Sequence, residues 1–71
     1  MDVIDELAIV RKEKKIRQED LAKEIGITRE ALSYFESHQK EPSYKRLRLW
    51  CEALGVKLTI INRIFQPKDF V

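Results

Sequence analysis

The sequence predicts a mainly α domain over residues 1–65, built from four short helices, with a C-terminal segment of different character at 56–65 and a tail at 66–71. Three observations predict it. Apolar residues recur three and four positions apart from Ile4 to Leu54, the spacing that lines one face of a helix. Helix-start residues (Thr28, Ser43) and helix-stop glycines (Gly26, Gly55) punctuate that pattern. From Val56 onward, VKLTIINRIF is rich in β-branched residues and alternates Val56, Leu58 and Ile60 with Lys57 and Thr59, which favours a strand.

The first helix is expected from Asp2 to about Lys15, with Ile4, Leu7, Ala8 and Ile9 or Val10 inward, acids early and bases late as the helix dipole favours. The second, Gln18 to Ile25, puts Leu21, Ala22 and Ile25 on one face, and Gly26 is placed to end it in a left-handed conformation. Thr28 can cap a third helix whose Ala31, Leu32 and Phe35 face inward and which ends near Ser37. After the polar loop SHQKEP, Ser43 can cap a fourth with Leu47, Trp50, Cys51 and Leu54 inward, stopped by Gly55. The alternative for 56–65 is a fifth helix, with Leu58, Ile61 and Phe65 on one face.

At 71 residues the chain can bury only a small core, of the kind that usually needs a disulfide, a metal or a partner chain beside it. A lone Cys51 and a lone His38 exclude a disulfide framework and a zinc site within one chain, which leaves the partner. An apolar share of 44% with 37% charged residues reads as a soluble globular domain. The opening MDVIDELAIV is acidic and does not look like a secretory leader, and no apolar run approaches a membrane span, so the cytoplasm is the expected location. The net charge of +2 is uneven: RKEKKIR at 11–17 sums to +4 and residues 37–63 to +4, around an acidic stretch at 18–36 that sums to −3. A basic run that ends a helix is most simply a solvated face complementing the dipole.

Two short helices meeting at Gly26, with small Ala22 at the crossing, have the geometry of a helix-turn-helix. Counting from Gln18, Ala22 is fifth, Gly26 ninth, Leu32 fifteenth and Phe35 eighteenth. The fifth site must be small to admit the next helix, the ninth must tolerate positive φ, and the last two fill the wedge. The segment RQEDLAKEIGITREALSYFE, with ESHQKEPS and LRLWCEALGVKL after it, resembles the Cro/C1-type helix-turn-helix proteins of phage repressors, restriction controllers and antitoxins, over about residues 5–58. The resemblance implies a lambda-repressor-like four-helix domain that binds double-stranded DNA. It also implies that Arg11 and Glu36 form a structural lock, beside the structural positions Leu21, Ala22, Gly26, Leu32 and Phe35. Two positions depart from the family: Arg17 stands where a Ser or Thr cap is usual, and His38 where glycine is common.

In a helix-turn-helix the second helix enters the major groove, and its first residues reach base edges. Those residues are Thr28, Arg29, Glu30, Ser33 and Tyr34. Arg29 has the fork for guanine O6 and N7, and Glu30 can accept from a cytosine amine, which suggests G·C content in the half-site. By the resemblance, Gln18 and Thr28 should hold the DNA backbone, with Arg17, Lys40 and Lys45 as further phosphate contacts. Trp50 and Cys51 read as core, and His38 as a turn residue. With no nucleophile and base, phosphate cradle or carboxylate pair, the chain is not expected to be an enzyme, and no cofactor or metal is implied.

A lone strand leaves its backbone groups unpaired, so a second copy is its natural supplier. Antiparallel pairing through Val56, Leu58, Ile60, Ile61 and Ile64 would make a homodimer, and two recognition helices would then read an inverted repeat. The expected role is a transcriptional repressor. The alternative is an antitoxin that neutralises a toxin protein and uses DNA binding for autoregulation.

Overall fold

The computed structural model describes residues 2–56, which form α1 (Val3–Glu13), α2 (Gln18–Ile25), α3 (Arg29–Glu36) and α4 (Tyr44–Leu54). Three of the helices start on side-chain caps: Asp2 accepts from the Ile4 amide, Thr28 from Ala31 and Ser43 from Arg46. The α2 start has no such cap, as Arg17 cannot accept a hydrogen bond. Its guanidinium instead reaches the acids of the first turn, Asp20 at 3.0 Å and Glu19 at 3.3 Å.

All four helices stop in the same way. The residue after the last turn is left-handed, and the next amide reaches back five residues: Ile16 to the Arg11 carbonyl, Ile27 to Ala22, Gln39 to Tyr34 and Val56 to Cys51. The left-handed residue is Gly26 (φ 80°) and Gly55 (φ 74°) after α2 and α4, but Lys15 (φ 59°) and His38 (φ 65°) after α1 and α3. A Cβ placed on Gly26 meets nothing within 4 Å, so the demand there is on backbone conformation and not on space. In three of the four stops the next residue is apolar, and Ile16, Ile27 and Val56 turn back to pack against the core.

α2 packs against both α3 and α4, and α1 closes the other side against α4 and α3. The core unites Val3, Ile4 and Leu7 of α1, Leu21, Ala22 and Ile25 of α2, Leu32 of α3, and Leu47, Trp50, Cys51 and Leu54 of α4. Trp50 is fully enclosed, and the Phe35 ring lies 6.5 Å from it, tilted by 35°.

The structure corrects the first helix. α1 ends at Glu13 and not near Lys15, because Lys15 is already left-handed. Of Ile9 and Val10, Val10 packs inward while Ile9 is 42% exposed. α3 buries only Leu32 completely, with Ala31 and Phe35 half-buried, since a helix of eight residues laid along α2 and α1 has one narrow inner stripe. Val56 packs on its own chain's core. Leu58, Ile60, Ile61 and Ile64, and with them the choice between strand and fifth helix, lie outside the described residues.

Candidate nucleic-acid interface

Arg11 is the one charged residue in the core of the described chain, and its carboxylate partner comes from the far end of α3. Its Nε donates to Glu36 Oε2 at 2.7 Å and its Nη2 to Glu36 Oε1 at 3.1 Å, with the two side chains only 10% and 8% exposed. Two further bonds complete the cluster: Arg11 Nη1 donates to the Ile16 carbonyl at 2.7 Å, and Gln18 Nε2 donates to Glu36 Oε1 at 2.9 Å. One fork therefore ties α1, the α1–α2 turn, the first residue of α2 and the last residue of α3. A bidentate, largely desolvated pair of this kind fixes orientation as well as contributing energy. Gln18, expected on the DNA backbone, gives one of its two side-chain N–H groups to this lock.

α3 is thereby held at both ends, by the Gly26 turn before it and by Glu36 behind it, while its outer face is left open. With Leu32 pointing inward, Glu30 and Tyr34, four residues apart, share the opposite face, and both are exposed. Arg29 and Thr28 are exposed at its start, and Ser33 is half-buried at its flank. Thr28 already accepts from the Ala31 amide at 3.1 Å, so it retains its O–H as a donor. Thr28, Arg29, Glu30 and Tyr34 are thus all accessible, whereas Ser33 is half-buried. Of the basic residues expected beside it, Lys40 and Lys45 are exposed, whereas Arg17 is paired with Glu19 and Asp20.

The loop after α3 folds back onto it. The Tyr34 carbonyl accepts from the Gln39 amide at 2.9 Å, the Lys40 amide at 3.3 Å and Ser37 Oγ at 3.3 Å. His38 Nε2 meets Asp5 Oδ1 of α1 at 2.7 Å, which ties the same loop to the first helix. That hydrogen bond raises the His38 pKa above its ordinary value; desolvation opposes it, and the Asp5 and Asp2 charges add to it. The Asp5–His38 contact carries no sequence signal, because a bond across 33 residues between two surface groups leaves no periodicity.

Cys51 is enclosed in the core. Burial first, and the Glu52 charge second, push its thiol up to about 11, so it is protonated near neutral pH and packs as a small apolar residue. The Trp50 indole Nε1 is buried and has no hydrogen-bond partner among the described residues. The described residues hold no group of three or more His, Cys, Asp or Glu able to bind a metal, and no helix long and apolar enough to cross a membrane.

Two short helices packed on each other, with small Ala22 buried, turned by a left-handed Gly26 and supported from behind by α1 and α4, define a helix-turn-helix module in a four-helix domain. The helix-turn-helix family model matches residues 7–61, and the chain belongs to that family, in its Cro/C1-type form. An uncharacterized HTH-type transcriptional regulator of Bacillus subtilis (strain 168), YqaE, is 42% identical over 64 residues, covering 82% of this chain and 55% of the relative. The chain thus spans little more than half the length of that relative. No solved structure matches it.

Proposed function

We propose that the chain is a sequence-specific DNA-binding transcriptional regulator that places α3 in the major groove. The observation that carries this reading is the accessible start of α3: Thr28, Arg29 and Glu30 are exposed while the helix is clamped from behind by Arg11, Gln18 and Glu36. A recognition helix needs that combination, since base readout depends on side chains presented from a fixed backbone. Thr28, Arg29 and Glu30 are the base readers, with Ser33 at the edge and Lys40 and Lys45 on phosphates. Resemblance to a relative named as a transcriptional regulator supports the same reading.

The working unit is a homodimer joined through residues 56–65 that represses by occupying an inverted repeat, its half-sites about one DNA turn, ~34 Å, apart. Selection of bound sequences from a random DNA pool tests binding, symmetry and spacing together. The expected result is a palindromic motif with G·C pairs in each half. Arg29→Ala should then weaken binding by about 1–3 kcal/mol per half-site and relax one base position in each half. No enrichment over input would refute DNA recognition, and monomers by sedimentation would refute the dimer. Copurification with a single partner protein would replace the repressor with the toxin-neutralising alternative.

A further inference from the structure

Lys40 and Tyr34 both fall among the residues proposed to meet DNA, and the structure couples them. The Lys40 ammonium lies 5.3 Å from the centroid of the Tyr34 ring, within the range at which a cation is attracted to an aromatic face. The backbone builds this contact. With His38 left-handed, the chain reverses after α3, and the amides of both Gln39 and Lys40 bond to the Tyr34 carbonyl, so residue 40 sits over the residue whose ring it covers.

Two of the basic side chains beside this module, Arg17 and Lys40, differ in one respect. Arg17 is engaged by Glu19 and Asp20, whereas Lys40, among the described residues, belongs to no ion pair and faces the ring instead. An aromatic face holds a lysine without neutralising it, so the charge stays available to an anion while the flexible stem is restrained. The ring face covered by Lys40 is in turn closed to a base.

We propose that Tyr34 is a positioning residue which holds the Lys40 ammonium over its ring for a backbone phosphate beside the groove, and that it does not read a base. This rests on the DNA-binding reading above and changes the role of one residue within it. The ring is the active part and the hydroxyl is dispensable.

Three substitutions in the full chain test it, on the DNA that the unmodified chain selects. Lys40→Ala should weaken binding about eightfold per bound subunit at roughly 0.1 M salt and reduce the salt slope by about 0.9 per subunit, the loss of one phosphate contact in each half-site, equally for cognate and mismatched sequences. Tyr34→Phe should leave affinity, salt slope and sequence profile unchanged. Tyr34→Leu should lower affinity by less than Lys40→Ala does, and the double variant should bind no worse than Lys40→Ala alone.

In the free protein, the Lys40 side-chain protons should show an upfield ring-current shift that Tyr34→Phe keeps and Tyr34→Leu abolishes. A new base preference in Tyr34→Phe, or additive losses in the double variant, would overturn the proposal while leaving DNA binding intact. Absence of the ring-current shift would overturn the coupling without any DNA present. A parent chain that selects no DNA would instead break the underlying reading, and the phosphate role with it.

Discussion

α3 and α4 begin alike, each on a hydroxyl cap with extended backbone, yet they are fixed in place by opposite means. α4 is anchored by apolar burial: Leu47, Trp50, Cys51 and Leu54 are all enclosed. α3 encloses only Leu32, with Phe35 half-buried beside it, and relies on the Glu36 lock to other helices at its far end, while the Thr28 cap closes its own first turn. The difference follows from what each helix must expose. A helix held by a wide apolar stripe surrenders a large part of its surface to the core. One held at its termini keeps its outer side for a ligand, at the cost of depending on a few directional bonds. Directional bonds fail all at once when one partner is removed, whereas apolar contacts fail by degrees.

This contrast is open to attack from both sides. The largest effect is expected at the apolar anchor: Trp50→Ala should cost about 3–5 kcal/mol, which in so small a domain is comparable to the whole stability, and the chain should be unfolded by circular dichroism at room temperature. A folded Trp50→Ala variant with an ordinary thermal transition would show that α4 is not the anchor.

Next is the polar clamp. Glu36→Ala strands the Arg11 guanidinium in a largely buried site, and by the general cost of breaking such a pair it should lose about 3 kcal/mol in denaturant unfolding. Glu36→Gln, which keeps one carbonyl oxygen as an acceptor but gives up the second oxygen and the charge, should lose less. Equal losses in the two variants would mean that shape and not hydrogen bonding holds α3.

Removing the front tie is a smaller change. Thr28→Ala should destabilise by about 1 kcal/mol, and hydrogen exchange should show the loss concentrated in the first turn of α3. Uniform exchange across all four helices would place the cap outside any local role.

The smallest effect concerns the Asp5–His38 tie between α1 and the loop. A His38 pKa raised on folding stabilises the native state fully below the unfolded value near 6.5, and that contribution fades as pH rises through the folded pKa. Asp5→Asn should therefore bring the His38 titration, followed by NMR, back toward about 6.5, and should lower the melting temperature more at about pH 5.5 than at about pH 9. An unshifted titration would show that the contact does not persist in solution.

Much of the fold is legible in the sequence because its determinants are local. The α2 boundaries, Gln18 to Ile25, coincide with the expected ones, and so do its three inward residues, since Gly26 and the three- and four-residue spacing act within one or two turns. The four inward residues of α4 follow from the same spacing between Ser43 and Gly55. The end of α1 was not legible, because a left-handed lysine gives no warning of the kind that glycine does. Nor was the packing of Ile16 and Ile27, isolated apolar residues in turns, which only the back-folded helix ends bring to the core. The Arg11–Glu36 pair entered by resemblance to a family and not by any spacing of its own.

At the candidate interface the division is sharper. By itself the sequence placed Glu30 and Tyr34 opposite Leu32 on α3, because helical spacing fixes that relation, but it did not show Ser33 half-buried at the flank. Only the tertiary structure decided what those residues and their neighbours are free to do. Gln18 is drawn into the lock by a carboxylate 18 residues away, and Lys40 is turned onto Tyr34 by a chain reversal at His38. Periodicity specifies direction from a single axis. The commitment of a donor or a charge depends on groups brought together from different axes, and those distances exist only once the helices have packed.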